Sequence, residues 1–506
     1  MSTRYVLALD QGTTGSTALV LDHDLQVRGR GYREFPQHYP NHGWVEHAPE
    51  DIFGSALEAG RTAIAAAGIA ASEIRAIGIT NQRETTLLWD RITGQPVGNA
   101  VVWQCRRSAP ICEQWRRVGL EPIIREHTGL EVDAYFSASK VRWLLDHVPG
   151  LETRAAAGEV LFGTVDSWLL WRLTGGAVHA TDVTNASRTM MYHIHGGAWD
   201  DDLLAAFDLP GHILPEVRPS CASFGTARAE HFGADIPITG IAGDQQAALF
   251  GQACLAPGSA KNTYGTGCFL VMNTGARAVA SKNRLLTTVA WQLGGAPMQY
   301  ALEGSVFSAG SAVQWLRDGL GLIRTAPDIE PLATSVPDNG GVFFVPAFTG
   351  LGAPHWDMYA RGAMVGLTRN SGAAHLGRAV LESVAYQTRD LIDAMRSDVG
   401  HPLDSLRVDG GMVVNDFLMQ FQADILGLPV ERPALTESTA LGAACLAGLA
   451  VGVWDSPDEI ARRIRIERVF EPRMSADQRE TLHADWQRAV QRARAWAPVD
   501  DTRSGG

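Results

Sequence analysis

Short apolar runs of β type alternate along the chain with stretches whose apolar residues recur at helical spacing. Tyr5 to Leu9, Thr17 to Leu21, Ile74 to Thr80 and Thr85 to Trp89 predict strands, while Pro49 to Ala66 and Lys140 to Val148 predict helices packed on a sheet. Further along, Ile238 to Ala242, Val342 to Pro346 and Leu406 to Asp409 read as strands. His375 to Met395, Asn415 to Leu426 and Asp477 to Trp496 read as helices. The alternation predicts an α/β protein. At 506 residues it exceeds what one core serves, and the pattern changes around Ile236 to Gly251, so two lobes are expected, 1–250 and 251–497, with 498–506 a flexible tail. No low-complexity linker separates them, which favours lobes apposed across a cleft.

The most informative stretch is Leu7 to Asp22, where two strand-like runs flank Gln11-Gly12-Thr13-Thr14-Gly15-Ser16. Glycines let backbone N–H groups turn toward an anion, threonine hydroxyls add donors, and Asp10 at the strand end can hold a hydrated Mg²⁺ against phosphates. An ordinary hairpin with turn-forming residues would read the same way. A second copy, Tyr264-Gly265-Thr266-Gly267-Cys268, lies between strand-like flanks in the other half. One phosphate hairpin per half suggests two related lobes closing on a nucleotide.

Three further elements add chemistry. Asp409-Gly410-Gly411 ends a strand in bare backbone that a flat base can approach. In Thr80 to Thr86 a strand gives way to Arg83-Glu84, a donor and an acceptor that can grip neighbouring hydroxyls; a solvated surface ion pair is the alternative. Asp244, in Gly243-Asp244-Gln245, is placed either to take a proton from an attacking hydroxyl or to cap the following helix. Together they describe a kinase-like site.

Bulk properties narrow the partners. Forty-three basic against 55 acidic side chains give a net charge of −12 without a long basic run, which argues against a nucleic-acid surface. Six cysteines lack metal-type spacing and read as reduced cytoplasmic thiols, and no signal segment is expected at the N-terminus. Ala440 to Trp454 is apolar but shorter than the roughly 20 residues a membrane span needs, so a buried small-residue helix is expected.

The residues resemble the FGGY carbohydrate kinases of the actin-like ATPase superfamily. Tyr135 to His147 looks like the first family signature, and Gly362 to Leu367 with His375 to Glu382 like the second. Gly43 to His47, Ile79 to Thr86, Val102 to Arg107 and Ile241 to Gly251 are similar to the branch that phosphorylates glycerol. The resemblance implies two actin-like (ribonuclease H-like) domains flanking a deep catalytic cleft, and Mg²⁺-assisted transfer from ATP to glycerol in a homodimer or homotetramer. It implies that Arg83, Glu84, Tyr135, Asp244 and Gln245 bond the hydroxyls, that Trp103 and Phe269 wall the carbons, and that Asp244 is the base. Thr13, Thr14, Gly15, Thr266, Gly310, Gln314, Gly411 and Asn415 would meet the nucleotide, with Asp10 beside the metal. A sibling acting on a pentulose or tetritol would share the ATP elements; a non-enzymatic actin-like ATPase would not need Arg83-Glu84.

The chain departs from the family at Gly15 and Thr17, where a hydroxyl and a guanidinium are usual, which bears on nucleotide affinity. The loop Arg228 to Asp235 lacks the segment that binds fructose 1,6-bisphosphate in enteric relatives, so that feedback is not expected. His231 lies near a histidine that a phosphotransfer-system protein phosphorylates in some relatives; an exposed loop histidine is the competing reading.

Overall fold

The computed structural model describes residues 4–497; the tail expected over 498–506 lies outside the described residues. Two large sheets organise the chain. The first has six strands in the order Thr226–Ala227, Ile236–Gly243, Ile74–Asn81, Tyr5–Gln11, Gly15–Leu21 and Val27–Glu34. The second has seven, Leu286–Trp291, Gln299–Val306, Cys268–Gly275, Ala260–Tyr264, Leu406–Asp409, Val430–Pro433 and Ile466–Phe470.

The two share one topology. In each, an antiparallel hairpin (Tyr5–Gln11 with Gly15–Leu21; Ala260–Tyr264 with Cys268–Gly275) continues on one side into a further antiparallel strand and on the other into two parallel strands. The repeated Gly-Thr loops therefore occupy equivalent hairpin turns. In each sheet the neighbouring parallel strand ends level with the hairpin: Asp10 is in register with Thr80 in the first, and Thr263 with Asp409 in the second.

Period-2 and period-3.6 patterns account for most elements, with bounds shifted where local chemistry intervenes. The strand expected from Thr85 begins at Leu87, because Glu84 adopts a left-handed φ of 59° and turns the chain. The last helix runs Ala476–Ala493, short of Trp496, which is exposed. The apolar stretch expected as a buried helix forms Ser438–Ala450, although its small residues pack mainly on the first sheet. Gly78 and Gly240 make this possible: a Cβ on either would collide with the helix backbone, at Ala443 O or at Ala447 N. One apolar cluster is thus common to both sheets, joining Val6, Ala8, Ala76 and Ala242 to Val271, Ala301 and helix residues Leu441 and Leu446. Among the described residues no helix is long and apolar enough to cross a membrane.

Candidate active site

Three parallel strands of the first sheet end together, and the segments beyond their ends form the site. Tyr5–Gln11 leads into the first hairpin, Ile74–Asn81 into Arg83-Glu84, and Ile236–Gly243 into Asp244 at the start of the helix Asp244–Gly251. Crevices beyond the carboxyl ends of parallel strands are where such sheets bind ligands. Gln82 ties the loops, its N–H donating to Gln11 O at 2.7 Å and its Nε2 to Gln11 Oε1 at 3.0 Å.

Arg83 and Glu84 are not a surface ion pair. Both are buried, and Arg83 donates through Nη1 to Glu303 Oε2 at 2.5 Å and Gln246 Oε1 at 3.1 Å, and through Nη2 to Glu303 Oε1 at 3.1 Å. Its Nε stands 3.0 Å from Asp244 Oδ1. Glu84 Oε1 accepts from Arg188 Nε at 2.7 Å, and Arg188 Nη2 also reaches Glu303 at 2.8 Å. Burial alone would push the Glu303 carboxyl up; the Arg188 and Arg83 guanidiniums outweigh it and hold it at about 2. Arg188 Nη1 is buried without a partner, and the Arg188 guanidinium lies 5.6 Å from the Tyr135 ring centre.

Tyr135 stands edge-on to Trp103 at 5.6 Å between ring centres. Burial, then the Glu84 carboxylate, keeps its phenol protonated well above the usual range. Trp103 Nε1 donates to Thr13 Oγ1 at 3.0 Å, which links the expected apolar wall to the first hairpin and leaves the Thr13 hydroxyl proton free to donate. Gln245 Oε1 takes the Lys261 ammonium, whose pKa is lowered by burial despite nearby Asp409 and Asp244. Phe269 lies beside it, its carbonyl 3.4 Å from Lys261 Nζ. Asp244 keeps a side chain 32% exposed, open to a ligand from the cleft.

Both hairpin tips present unused donors. Gly12 N closes on Gly15 O at 3.0 Å and Gly265 N on Gly267 O at 2.8 Å, while the N–H groups of Thr13, Thr14, Thr266 and Gly267 meet no acceptor among the described residues. Gly15 lies under Tyr32, where an added Cβ would stand 2.8 Å from the phenol oxygen; the Tyr32 ring occupies the space that a serine would need. Thr17 faces Asp10 across the ladder. Gly310 N bonds Gly265 O at 3.0 Å, docking a helix start on the second hairpin. Gly410, with φ 92°, lets the strand end pass Tyr264, where a Cβ would stand 2.5 Å from its carbonyl oxygen, and Gly411 is open. Gln314 is exposed on the helix Gly310–Asp318, opposite that helix's buried face of Ala312, Val313 and Leu316, and Asn415 caps the helix Asp416–Leu426, its Oδ1 accepting from Leu418 N at 2.8 Å.

Asp10 is pushed up to about 7, by burial first and then by the Asp244 and Glu437 carboxylates. A cluster of carboxylates so short of positive charge is a donor set for a hard, oxygen-preferring dication. Nothing in the sequence assigns a role to Glu437, Glu303 or Arg188, which lie in no recognisable local pattern, whereas Gln246 sits in the Ile241 to Gly251 motif and Lys261 lies in the first strand of the second hairpin. His231 is not an exposed loop residue: it sits in the short helix Ala229–Phe232, nearly buried, edge-on to Phe53 at 5.6 Å, with Nε2 lacking a partner.

Comparison with known proteins gives the chain a family. Models of the FGGY family of carbohydrate kinases match twice, the N-terminal domain over residues 5–251 and the C-terminal domain over residues 260–451. A glycerol kinase of Aromatoleum aromaticum is 61% identical over 97% of this chain and 99% of its own length, and one of Halorhodospira halophila 59% identical over 99% of each. The crystal structure of Plasmodium falciparum glycerol kinase with ADP superposes with a TM-score of 0.91 at 37% identity, covering 97% of this chain and 98% of that one. The chain belongs to the FGGY family of carbohydrate kinases.

Proposed function

We propose that the chain transfers the γ-phosphoryl group of ATP to glycerol, giving glycerol 3-phosphate and ADP, with the lobes 1–250 and 251–497 closing on the two substrates. The observation that carries this is Asp244, open to the cleft and 3.0 Å from Arg83, at strand ends that also carry a hairpin of free N–H donors. A small triol has no large apolar body, so discrimination comes from satisfied hydrogen bonds in a dry pocket. Arg83 and Tyr135 donate to hydroxyls, Glu84 Oε2 and Asp244 accept, Gln245 offers its Nε2, and Trp103 and Phe269 wall the carbons. Asp244 takes the proton of the attacking hydroxyl as the phosphoryl group passes to it.

The hairpin donors at residues 13–15 and 266–267, with Gly310, Gln314, Gly411 and Asn415 around them, would hold the nucleotide. Asp10, with Glu437 beyond it, would hold a hydrated Mg²⁺, which neutralises phosphate charge when bound. Cytoplasmic location and assembly as a homodimer or homotetramer belong to the same reading. The buried Nε2 of His231 weighs against its use as a phosphotransfer-system acceptor in this fold.

A coupled ADP-release assay tests the proposal. ADP release should depend on added acceptor and run faster with glycerol than with erythritol or xylulose; acceptor-independent turnover, or equal rates, would overturn it.

Proton competition at Asp10 gives a second expectation. Its folded pKa of about 7 exceeds the unfolded value of 3.8, so the native metal-free form holds the extra proton. The stability this contributes is complete below the unfolded pKa and is lost as pH rises through about 7. Mg²⁺ binds the carboxylate, so Mg²⁺-ADP should bind more tightly at pH 8 than at pH 6 by titration calorimetry, and Asp10→Asn should flatten that difference. Wild type and variant with the same pH dependence would remove Asp10 from the metal site.

A further inference from the structure

Away from the cleft, His127, His193 and Asp200 bring one donor atom each within 4.8 Å of one another. His127 lies in the last turn of the helix Glu121–Thr128, His193 in the short strand Tyr192–His193, and Asp200 caps the helix Asp201–Ala206. The backbone fixes all three. Ile194 N donates to His127 O at 2.9 Å, Asp200 N to Met191 O at 2.8 Å, and His193 pairs with Ala198 across a tight hairpin.

The side chains are arranged more elaborately than the fold needs. Capping uses only Asp200 Oδ1, which accepts from Leu203 N at 2.9 Å; Oδ2 is left 2.7 Å from His127 Nδ1. The His127 and His193 rings stack at 4.4 Å with 20° between planes, an arrangement that two protonated imidazoles would oppose. His195, exposed on the same hairpin, lies with its ring centre 5.8 Å from that of His193.

We propose that His127, His193 and Asp200 form a binding site for one divalent transition-metal ion of the Zn²⁺ class, with His195 in reach as a further ligand. Two imidazoles and one carboxylate suit Zn²⁺, Ni²⁺ or Co²⁺ and disfavour Mg²⁺ or Ca²⁺, which want oxygen donors. Bonds of about 2.0 to 2.2 Å in a tetrahedron set donors about 3.4 Å apart, so the His127–Asp200 pair, now at 2.7 Å, would open slightly while the His193 donor closes in. Loading releases the proton shared by His127 Nδ1 and Asp200 Oδ2, and the His193 ring is hydrogen-bonded, among the described residues, only through a long Gly196 N–H contact of 3.2 Å at its Nδ1.

The ion staples a helix, a hairpin and a second helix at a place where the two halves touch. Tyr300 O–H donates to Ile194 O at 2.9 Å, and Thr287 N to Gly129 O at 2.9 Å, both from strands of the second sheet. Loading therefore stiffens a strap between the halves without entering the candidate active site.

The test uses the full chain, stripped with chelator and returned to Mg²⁺ buffer. Zn²⁺ titrated against a chromophoric chelator should fill one site and raise Tm, and Co²⁺ should give the visible absorption of a tetrahedral or five-coordinate N/O site. His127→Gln and His193→Gln should each weaken Zn²⁺ about tenfold or more, with metal-free Tm and phosphotransfer unchanged. If either glutamine variant lowers the metal-free Tm, Asp200→Asn, which keeps the Oδ1 cap, replaces it. Undiminished Zn²⁺ uptake by the His127→Gln/His193→Gln double variant, or no uptake by the wild type, would overturn the site.

Discussion

Asp244→Asn is expected to lower kcat by roughly 10²- to 10⁴-fold, the usual worth of a positioned base, while glycerol still binds. The substitution keeps the shape of a side chain that stands 3.0 Å from Arg83 Nε and removes its negative charge, and with it its capacity to accept the hydroxyl proton. A group used in the transition state alone lowers kcat and kcat/KM together, whereas one used only to bind would raise KM. A second consequence separates catalysis from misfolding. Asp244 is one of the carboxylates that push Asp10 up to about 7, so the variant should bring Asp10 down toward the usual carboxylate range and bind Mg²⁺-nucleotide at least as well as wild type. Unchanged turnover would take the base role from Asp244.

Glu303→Ala is expected to cost about 3 to 5 kcal/mol of folding stability, the penalty for removing one partner of a buried ion network. Glu303 is fully buried and is shared by Arg83 and Arg188, which would both be left in a dry interior with reduced compensation. Arg188 has no slack, since its Nη1 is already unpartnered. Denaturant titration of wild type and variant measures the loss, and a difference below about 1 kcal/mol, the worth of an exposed pair, would show the network to be incidental. The sign of the pH dependence follows from the depressed carboxyl: the Glu303 contribution is present above the unfolded value of 4.5 and is lost as pH falls through about 2. The gap between wild type and variant should therefore narrow in acid.

The hairpins were legible in the sequence because a glycine-threonine turn between apolar strands is a local signal, and its repetition in the second half announced the shared sheet topology. Arg83-Glu84 was legible as a candidate only by its company; as an isolated pair it reads as surface, and the groups that bury it come from far along the chain. Glu303 lies 220 positions from Arg83 and Arg188 lies 104 from Glu84, each in a segment whose pattern says only strand or helix end. Arg83 is consequently more than a substrate ligand. Three of its five N–H donors are spent inside the protein, which leaves Nε–H toward Asp244 and one Nη2–H for an acceptor hydroxyl. Asn415 shows the opposite limit: its role as a helix cap, with Oδ1 accepting from Leu418 N, is a local signal, whereas a contact from its Nδ2 to a nucleotide is not.

The seam helix Ser438–Ala450 has a consequence for how the chain is made. Val6, Ala8, Ala76 and Ala242 on one face of the first sheet owe their cover to a segment translated long after the strands of that sheet. During elongation that face stays open after its own strands are complete, and the glycines that later admit the helix so closely leave it flat in the meantime. The nascent first half is thus an adhesive intermediate whose maturation waits on residues some way downstream, and a fragment ending near residue 251 would carry that unprotected face permanently.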